Sequence, residues 1–371
     1  MAVFRKNRGQ TNKAHFVSTE NMKQNCAGIE VYPDTEYAEG IKFQEADILI
    51  ANIRPYLKKA WLATFSGACS ADVLALCPVD ILPSFLFSVI GRDSFFDYVM
   101  SGAKGSKMPR GDKTHIMTYS FGVPGCEEQK RISDMMALLD KRIDAQRRLV
   151  ESLKSYKRGL SNALFERVIE FCSGSDNKWT QFPLGDLGEF YNGLTGKQKT
   201  DFEHGSEPYI PYVNVYKNMV ADTSACESVS VSEREHQNKV RYGDILFTQS
   251  SETLEEVGLS SVWLGDFEPF LNSFCFGIHF HENLCIFPLY VAHYFRSTDA
   301  RLKIMHEGQG ITRVNLSAER IKAISIPLPP MEVQKKIGMF LKSLNDKINE
   351  KQEIICQMEH LKIGLLQQLF I

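Results

Sequence analysis

The sequence predicts an α+β chain: two mixed α/β domains separated by two long helices that pair as an antiparallel coiled coil. Three observations predict it. Residues 129–165 and 334–370 are two copies of one segment, 205 positions apart and identical at ten of 37 aligned positions. Both copies place apolar residues in alternating steps of four and three over more than four heptads. Each copy follows a stretch of short strand-like runs punctuated by Gly and Pro.

The first mixed domain is expected over residues 1–125. Its runs ADILIANI (46–53) and ADVLALCP (71–78) read as strands, and FLFSVIGRDSFFDYVM (85–100) reads as a helix. The pattern changes at Pro124, and a long helix is expected from about Glu127, within a helical spacer over 126–170. Its seam is Ile132, Met136, Leu139, Ile143, Val150, Leu153, Leu160 and Leu164, interrupted by polar Gln146 and Lys157. The polar stretch 171–178 reads as a linker that opens a second mixed domain over 171–330. A C-terminal helical spacer over 331–371 repeats the register with Ile337, Leu341, Leu344, Ile348, Ile355, Met358, Leu365 and Leu369. Polar Lys351 and Lys362 interrupt it at the same two places. A 3.5-residue period is the coiled-coil signature, and buried polar seam residues specify register at a cost in stability. Matched interruptions therefore predict that the helices pair with each other; the alternative is that each packs on its own domain. A helix of about 33 residues spans ~50 Å, the length of about 15 base pairs of DNA.

The repeat extends into the mixed domains. YGDILFTQSS (242–251) aligns with EADILIANIR (45–54). Residues 288–329 align with the first domain at an offset of 203, so that Gly105 meets Gly308, Arg110 meets Arg313, and Val123-Pro124 meets Ile326-Pro327. Some 30 residues of the second domain precede PYIPYVNVYKN (208–218), against about 15 before FVSTENM (16–22) in the first. The first domain is therefore expected to lack an opening strand and loop.

Bulk properties bound the function. The net charge of −2 excludes a generally basic coat but not a local basic surface. Nine cysteines are scattered with no C-x-x-C pair, and His281 and Cys285 have no second ligand pair, so free thiols in a reducing cytoplasm are expected and no metal. No apolar run approaches the ~18–20 residues of a membrane span, and MAVFRKNRGQTNKAHF lacks the apolar core of a secretory signal. P-loop, G-x-G-x-x-G, [DNS]-P-P-[YFW], G-x-S-x-G and H-E-x-x-H patterns are absent, so no catalytic residue and no cofactor is assigned to the chain.

Loops carry the chemistry that is present. ANIRPYLKK (51–59) offers Arg54, Tyr56, Lys58 and Lys59, and the Gly-bounded stretch 103–113 offers Lys104, Lys107, Arg110 and Lys113. Arg bonds guanine edges or clamps phosphate, Lys supplies point charge, and Gly lets backbone amides approach a phosphate. The second domain offers Asn214, Tyr216 and Lys217, then Gln249, Ser250 and Ser251, then Arg313 and Asn315. Gln and Asn match adenine, so a different base preference is expected. Any one of these residues reads by default as a solvated turn; recurrence of the loop types at corresponding places in two repeats is what favours DNA binding.

With these pieces in this order, nearly the whole chain resembles the specificity (S) subunits of type I restriction–modification systems. FVSTENM, ADILIANIRPYLKKAW, SADVLAL and GSKMPRGDK are similar to a first target recognition domain and its exit. VPGCEEQKRI and its helix are similar to the central helical region. YIPYVNVYKN, YGDILFTQSSE, LNSFCFGI and GITRVNLSAERIKAISIPLP are similar to a second recognition domain, and the terminal helix to the second helical region. The resemblance implies a non-catalytic, cytoplasmic, DNA-associated subunit that reads a bipartite double-stranded target. It implies two methyltransferase (M) subunits carrying S-adenosylmethionine, and restriction (R) subunits using ATP and Mg. The competing readings are a self-contained DNA methyltransferase or nuclease with fused recognition domains, and a scaffold that binds protein only.

Overall fold

The structure, a computed structural model, describes the chain except Met1, Tyr32, Thr35, residues 170–177, Glu233, Ile311 and residues 370–371. Most of the polar linker expected at 171–178 thus lies outside the described residues. The chain divides into two compact units, residues 1–148 with 352–371, and residues 149–351.

The first unit holds β1 (Ala2–Phe4), β2 (Arg8–Asn12), β3 (Phe16–Val17), β4 (Tyr37–Phe43), β5 (Ile48–Ala51), β6 (Ala60–Leu62), β7 (Gly67–Cys69) and β8 (Val73–Pro78). Helices α1 (Pro83–Ile90), α2 (Asp93–Ser101) and α3 (Lys113–Ile116) lead into α4 (Cys126–Phe165). One sheet runs β1-β8-β5-β6, the other β2-β4-β7-β3. Every residue of β5 is buried, because the strand has a core on each face. Ile48 and Ile50 pack with Leu74, Leu76, Ile90 and Phe96, while Leu49 and Ala51 pack with Phe43, Trp61 and Val73. The helix expected at 85–100 is two helices. Arg92 adopts an extended conformation (ψ 148°) after Gly91, and α2 starts afresh at Asp93.

The second unit repeats this plan. It comprises β9 (Thr180–Pro183), β10 (Gly188–Asn192), β11 (Glu207–Ile210), α5 (Tyr212–Lys217), β12 (Glu227–Val229), β13 (Ile245–Thr248), β14 (Ser250–Ser251) and β15 (Ser260–Val262). It continues with β16 (Phe270–Leu271), β17 (Cys275–Phe280), α6 (Pro288–Phe295), α7 (Thr298–Glu307), β18 (Val314–Asn315), α8 (Ala318–Lys322) and β19 (Ser325–Leu328), followed by α9 (Met331–Gln368). Its main sheet runs β10-β17-β13-β15, the order of β1-β8-β5-β6. Ile245 and Phe247 face one core with Val291 and Phe295, and Leu246 faces another with Trp263 and Ile210.

The long helices pair antiparallel. In the first unit Lys362 donates to Asp140 and Arg147 to Glu359, so α9 descends as α4 ascends. In the second, Leu160 and Leu164 share a core with Val333, Ile337, Leu341 and Leu344. Along the expected seam Ile132, Met136, Ile143, Val150, Leu164, Ile337, Leu341 and Ile348 are buried. Leu139, Leu153, Leu160, Leu344, Ile355, Met358 and Leu365 are partly buried. Leu369 is exposed: it lies beyond the end of α9, and Leu366 is the buried residue of the last turn. The polar seam positions do not meet each other. Lys362 reaches Asp140, and Lys157 is desolvated near Arg296, which pushes its pKa down.

Each long helix begins on the same clasp. Gln129 accepts the Leu82 N–H ahead of Pro83 (3.0 Å) and donates to the Pro124 carbonyl (2.9 Å). Gln334 accepts the Phe287 N–H ahead of Pro288 (2.9 Å) and donates to the Cys285 and Pro329 carbonyls (3.0 and 2.8 Å). One buried amide thus satisfies backbone groups at the start of two helices.

Candidate nucleic-acid interface

In both units the central strand runs on past the sheet and pairs with a glycine-turned hairpin. In the first, the Gly111 N–H donates to Asn52 O (3.0 Å) and the Arg54 N–H to Pro109 O (2.8 Å). Lys104 and Arg110 close the hairpin with two bonds of 2.9 Å around Gly105, whose φ is +94°. In the second, the Leu316 N–H donates to Gln249 O (2.8 Å), β14 pairs with β18, and Gln309 and Asn315 close a hairpin around Gly310, φ +123°.

This geometry corrects the sequence alignment of the loops. Arg110 corresponds to Asn315, Met108 to Arg313 and Gly105 to Gly310, so the offset is 205, as in the helices. The misreading arose because GQG (308–310) holds two glycines and only the second has the left-handed φ that defines the turn. By the same offset Ser120 and Phe121 correspond to Ser325 and Ile326, the first residues of β19.

Gly310 yields a direct test. A Cβ there would lie 2.0 Å from the Arg313 carbonyl oxygen, on top of the strain of a left-handed φ, whereas at Gly105 the nearest atom is 3.5 Å away. Gly310→Ala should raise hydrogen exchange across 309–315 and weaken DNA binding about tenfold, from ~1–2 kcal/mol of local strain. Gly105→Ala should do less on both counts, and any fall in the global unfolding midpoint for Gly310→Ala should be no larger than this local strain accounts for.

The candidate side chains fall into distinct groups. Arg54, Lys107, Lys113 and Arg313 are exposed and form no ion pair among the described residues. Tyr56, Lys217, Gln249 and Asn315 are exposed, and Ser250 is half-buried. Arg54 and Lys58 both adopt a left-handed backbone (φ 52° and 50°) around the turn Pro55–Leu57. Strain of this kind in non-glycine residues costs of order 1–3 kcal/mol and clusters at functional sites. Lys58 pairs with Asp93 (2.6 Å), Lys59 donates to Thr19 O (2.6 Å), and Arg110 pairs with Asp72 (3.0 Å). Lys104 pairs with Asp112 (2.8 Å). That bond first, then the His115 and Thr114 amides, hold the Asp112 carboxyl down at about 2.

Two expected contacts are internal instead. Asn214 is 3% exposed. Its amide donates to Asp222 O (2.8 Å) and accepts from the Asp222 N–H and the Asn218 side chain (2.9 Å each), closing the loop after α5. Ser251 is 7% exposed and donates to Thr253 O (2.6 Å). Tyr216 is half-buried and donates to Glu256, a bond that raises its pKa. Exposed Glu252 and Glu255 flank this region, making it less basic than its counterpart.

Sequence reasoning missed the supports. Tyr212 donates to Ser250 O (2.6 Å) and stacks on Tyr216 at 6.0 Å. Their i, i+4 spacing, legible in PYVNVYKN, was the available signal. Arg296 clamps the end of α5, with Nε on Ser260 O (2.8 Å) and Nη2 on Val215, Tyr216 and Asn218 O (3.3, 3.4 and 3.1 Å). No cluster of three or more His, Cys, Asp or Glu suited to a metal occurs among the described residues.

Comparison with known proteins fits this double architecture. The family model for the type I restriction modification DNA specificity domain matches residues 176–359. The EcoKI type I restriction enzyme specificity subunit of Escherichia coli is 28% identical over 168 residues, 45% of this chain and 36% of that protein. The MjaVIII specificity subunit of Methanocaldococcus jannaschii is 23% identical over 292 residues, 73% of this chain and 66% of that protein. The matches thus span between about a third and two thirds of these relatives' length. Two solved structures share the fold over nearly the full chain. One, from work on complex assembly and conformational transition of the type I R-M system, has a TM-score of 0.61 at 16% identity, covering 99% of this chain and 98% of that one. The other, the S subunit of a type I restriction-modification system from M. genitalium, has a TM-score of 0.56 at 14% identity, covering 98% of this chain and 96% of that one. Residues 176–359 thus carry the type I restriction modification DNA specificity domain, and the chain as a whole is similar to the specificity subunits of type I restriction–modification systems.

Proposed function

We propose that this chain is the non-catalytic DNA-recognition and scaffold subunit of a type I restriction–modification complex, each mixed domain reading one half of a bipartite target. One observation carries the reading: both units present a glycine-turned hairpin beside the extended end of the central strand, with unpaired cations on it. Exposed Arg54, Lys107 and Lys113 suit phosphate contacts, and Gln249, Arg313 and Asn315 suit base edges or phosphate. In this reading two M subunits bring S-adenosylmethionine, R subunits bring ATP and Mg, and the complex works on DNA in the cytoplasm. No helix among the described residues is long and apolar enough to cross a membrane.

The test is Arg110→Ala and Arg313→Ala in the chain assembled with its M partner, with DNA affinity followed against salt. A lost phosphate contact lowers affinity on all sequences and reduces the salt slope by about one; a lost base contact costs ~1–3 kcal/mol and relaxes one position. Arg110→Ala also strips Asp72 of its partner and leaves a bare carboxylate, so it should be the more severe. Wild-type affinity and methylation from both variants at every salt concentration would show that these hairpins do not face DNA.

A further inference from the structure

In each unit the ladder of the central sheet continues one residue beyond its strands. β13 and β17 pair Thr248 with Cys275, and the Gln249 N–H donates to Phe274 O (2.8 Å), so Gln249 and Phe274 stand directly opposite. β5 and β8 pair Ala51 with Val73, and the Asn52 N–H donates to Asp72 O (2.8 Å), so Asn52 and Asp72 stand opposite in the same way. The hairpins give the same match, since Leu316 donates to Gln249 O and Gly111 to Asn52 O. Phe274 therefore occupies the place of Asp72, Gln249 that of Asn52, and Asn315 that of Arg110.

The three places hold different chemistry in the two units. In the first, Asp72 accepts from Arg110 (3.0 Å). Asn52 is half-buried, and a Cβ on Gly111 would lie 2.9 Å from its Oδ1, so the amide is tucked beneath the glycine. In the second, Leu316 brings a side chain where Gly111 has none, and Gln249 and Asn315 are exposed. Phe274 is 58% exposed, with its N–H held by Asn272 Oδ1 (3.0 Å). Directly opposed residues share a face of the sheet with Cβ atoms ~5 Å apart, so the ring and the Gln249 amide are presented together. A lone exposed phenylalanine needs no explanation. This one stands where the first unit places a charged pair, on the edge that carries the hairpin.

Building on the DNA-recognition reading above, we infer that Phe274 is a specificity-determining residue of the second unit. Its ring packs on the 5-methyl group of a thymine in the major groove, while Gln249 bonds the edge of an adenine. The first unit, with Asp72 bracing Arg110, offers donors suited to guanine O6 and N7 instead. The half-site of the second unit is thus A·T-containing and methyl-dependent.

The full chain, assembled with its M partner, is used to select duplexes from a random library. The selected target is then remade with deoxyuridine at each thymine in turn, which removes the methyl group alone and needs no protein variant. One such replacement should lower affinity about fourfold, the worth of one buried methyl. Phe274→Ala should bind the thymine and deoxyuridine duplexes equally, Phe274→Leu should restore part of the difference, and the other half-site should be read as before. Because Phe274 is exposed, its replacement should shift stability no more than an ordinary surface substitution does. Selection of no sequence at all would overturn DNA recognition itself, and the role of Phe274 with it. A selected target whose affinity no deoxyuridine changes, or a methyl dependence that persists in Phe274→Ala, would overturn the role of Phe274 and leave DNA recognition standing.

Discussion

Replacing Arg296 by methionine should cost about 2–4 kcal/mol of unfolding free energy, the largest single-residue effect expected in the second unit. The guanidinium donates to four main-chain carbonyls from two elements, Ser260 in β15 and Val215, Tyr216 and Asn218 at the end of α5. The last carbonyls of a helix have no partner within it, and a cation there is favoured by the helix dipole. The site is dry enough that burial first, then the nearby charge of Arg301, push the Arg296 pKa down to about 10. Methionine fills similar volume but donates nothing, so the carbonyls are left unsatisfied. Urea unfolding should show the loss as a lower midpoint with an unchanged slope. DNA affinity should fall with it, because α5 carries Lys217 and positions Tyr212 over Ser250. A loss under ~0.5 kcal/mol, the ordinary size of a surface substitution, would mean the clamp is dispensable.

Acidification from pH 6.5 to 5 should remove about 2 kcal/mol of stability through His293 alone. This side chain is buried on α6, and its Nε2 has no hydrogen-bond partner. Burial first, then the charge of Lys157 on α4, lower its pKa to about 3. The unfolded histidine takes a proton near 6.5, whereas the folded one stays neutral down to about 3. The unfolded state therefore binds more protons throughout that window, and stability falls as pH drops, by about 1.4 kcal/mol per unit below 6.5. Above pH 6.5 both states are neutral at this position and the effect vanishes. Stopping at pH 5 keeps clear of the lowered carboxylates Asp112 and Glu235, whose contributions are lost further into acid. His293→Leu removes the titration. Its stability relative to wild type should rise between pH 7.5 and 5, and parallel pH profiles for the two proteins would show that His293 does not carry the loss.

The long helices, the repeat and the split into two like units were legible from residue order alone. A 3.5-residue apolar period is a local property, and two copies of it at one spacing imply two copies of one plan. The continuous apolar runs at 48–51 and 245–248 were equally plain, because strands buried on both faces have no polar side to alternate with. The stretch 103–113 was legible as a Gly-bounded basic loop, and the structure shows it to be a hairpin. What residue order left open was every matter settled by contacts far apart in the chain. Asn214 and Ser251 have the composition of DNA-contacting residues, yet Asp222 and Thr253 carbonyls take their donors inside the fold. Arg296, an unremarkable residue after a helix, proved to support that region through carbonyls about 80 positions away. The loop alignment slipped by two because identity cannot tell Gly308 from Gly310; a left-handed φ can. Periodicity and repetition are encoded by neighbours, so sequence determined them. Burial, ion pairing and hairpin register depend on which distant groups arrive to desolvate or bond a side chain, and only the tertiary structure decided those.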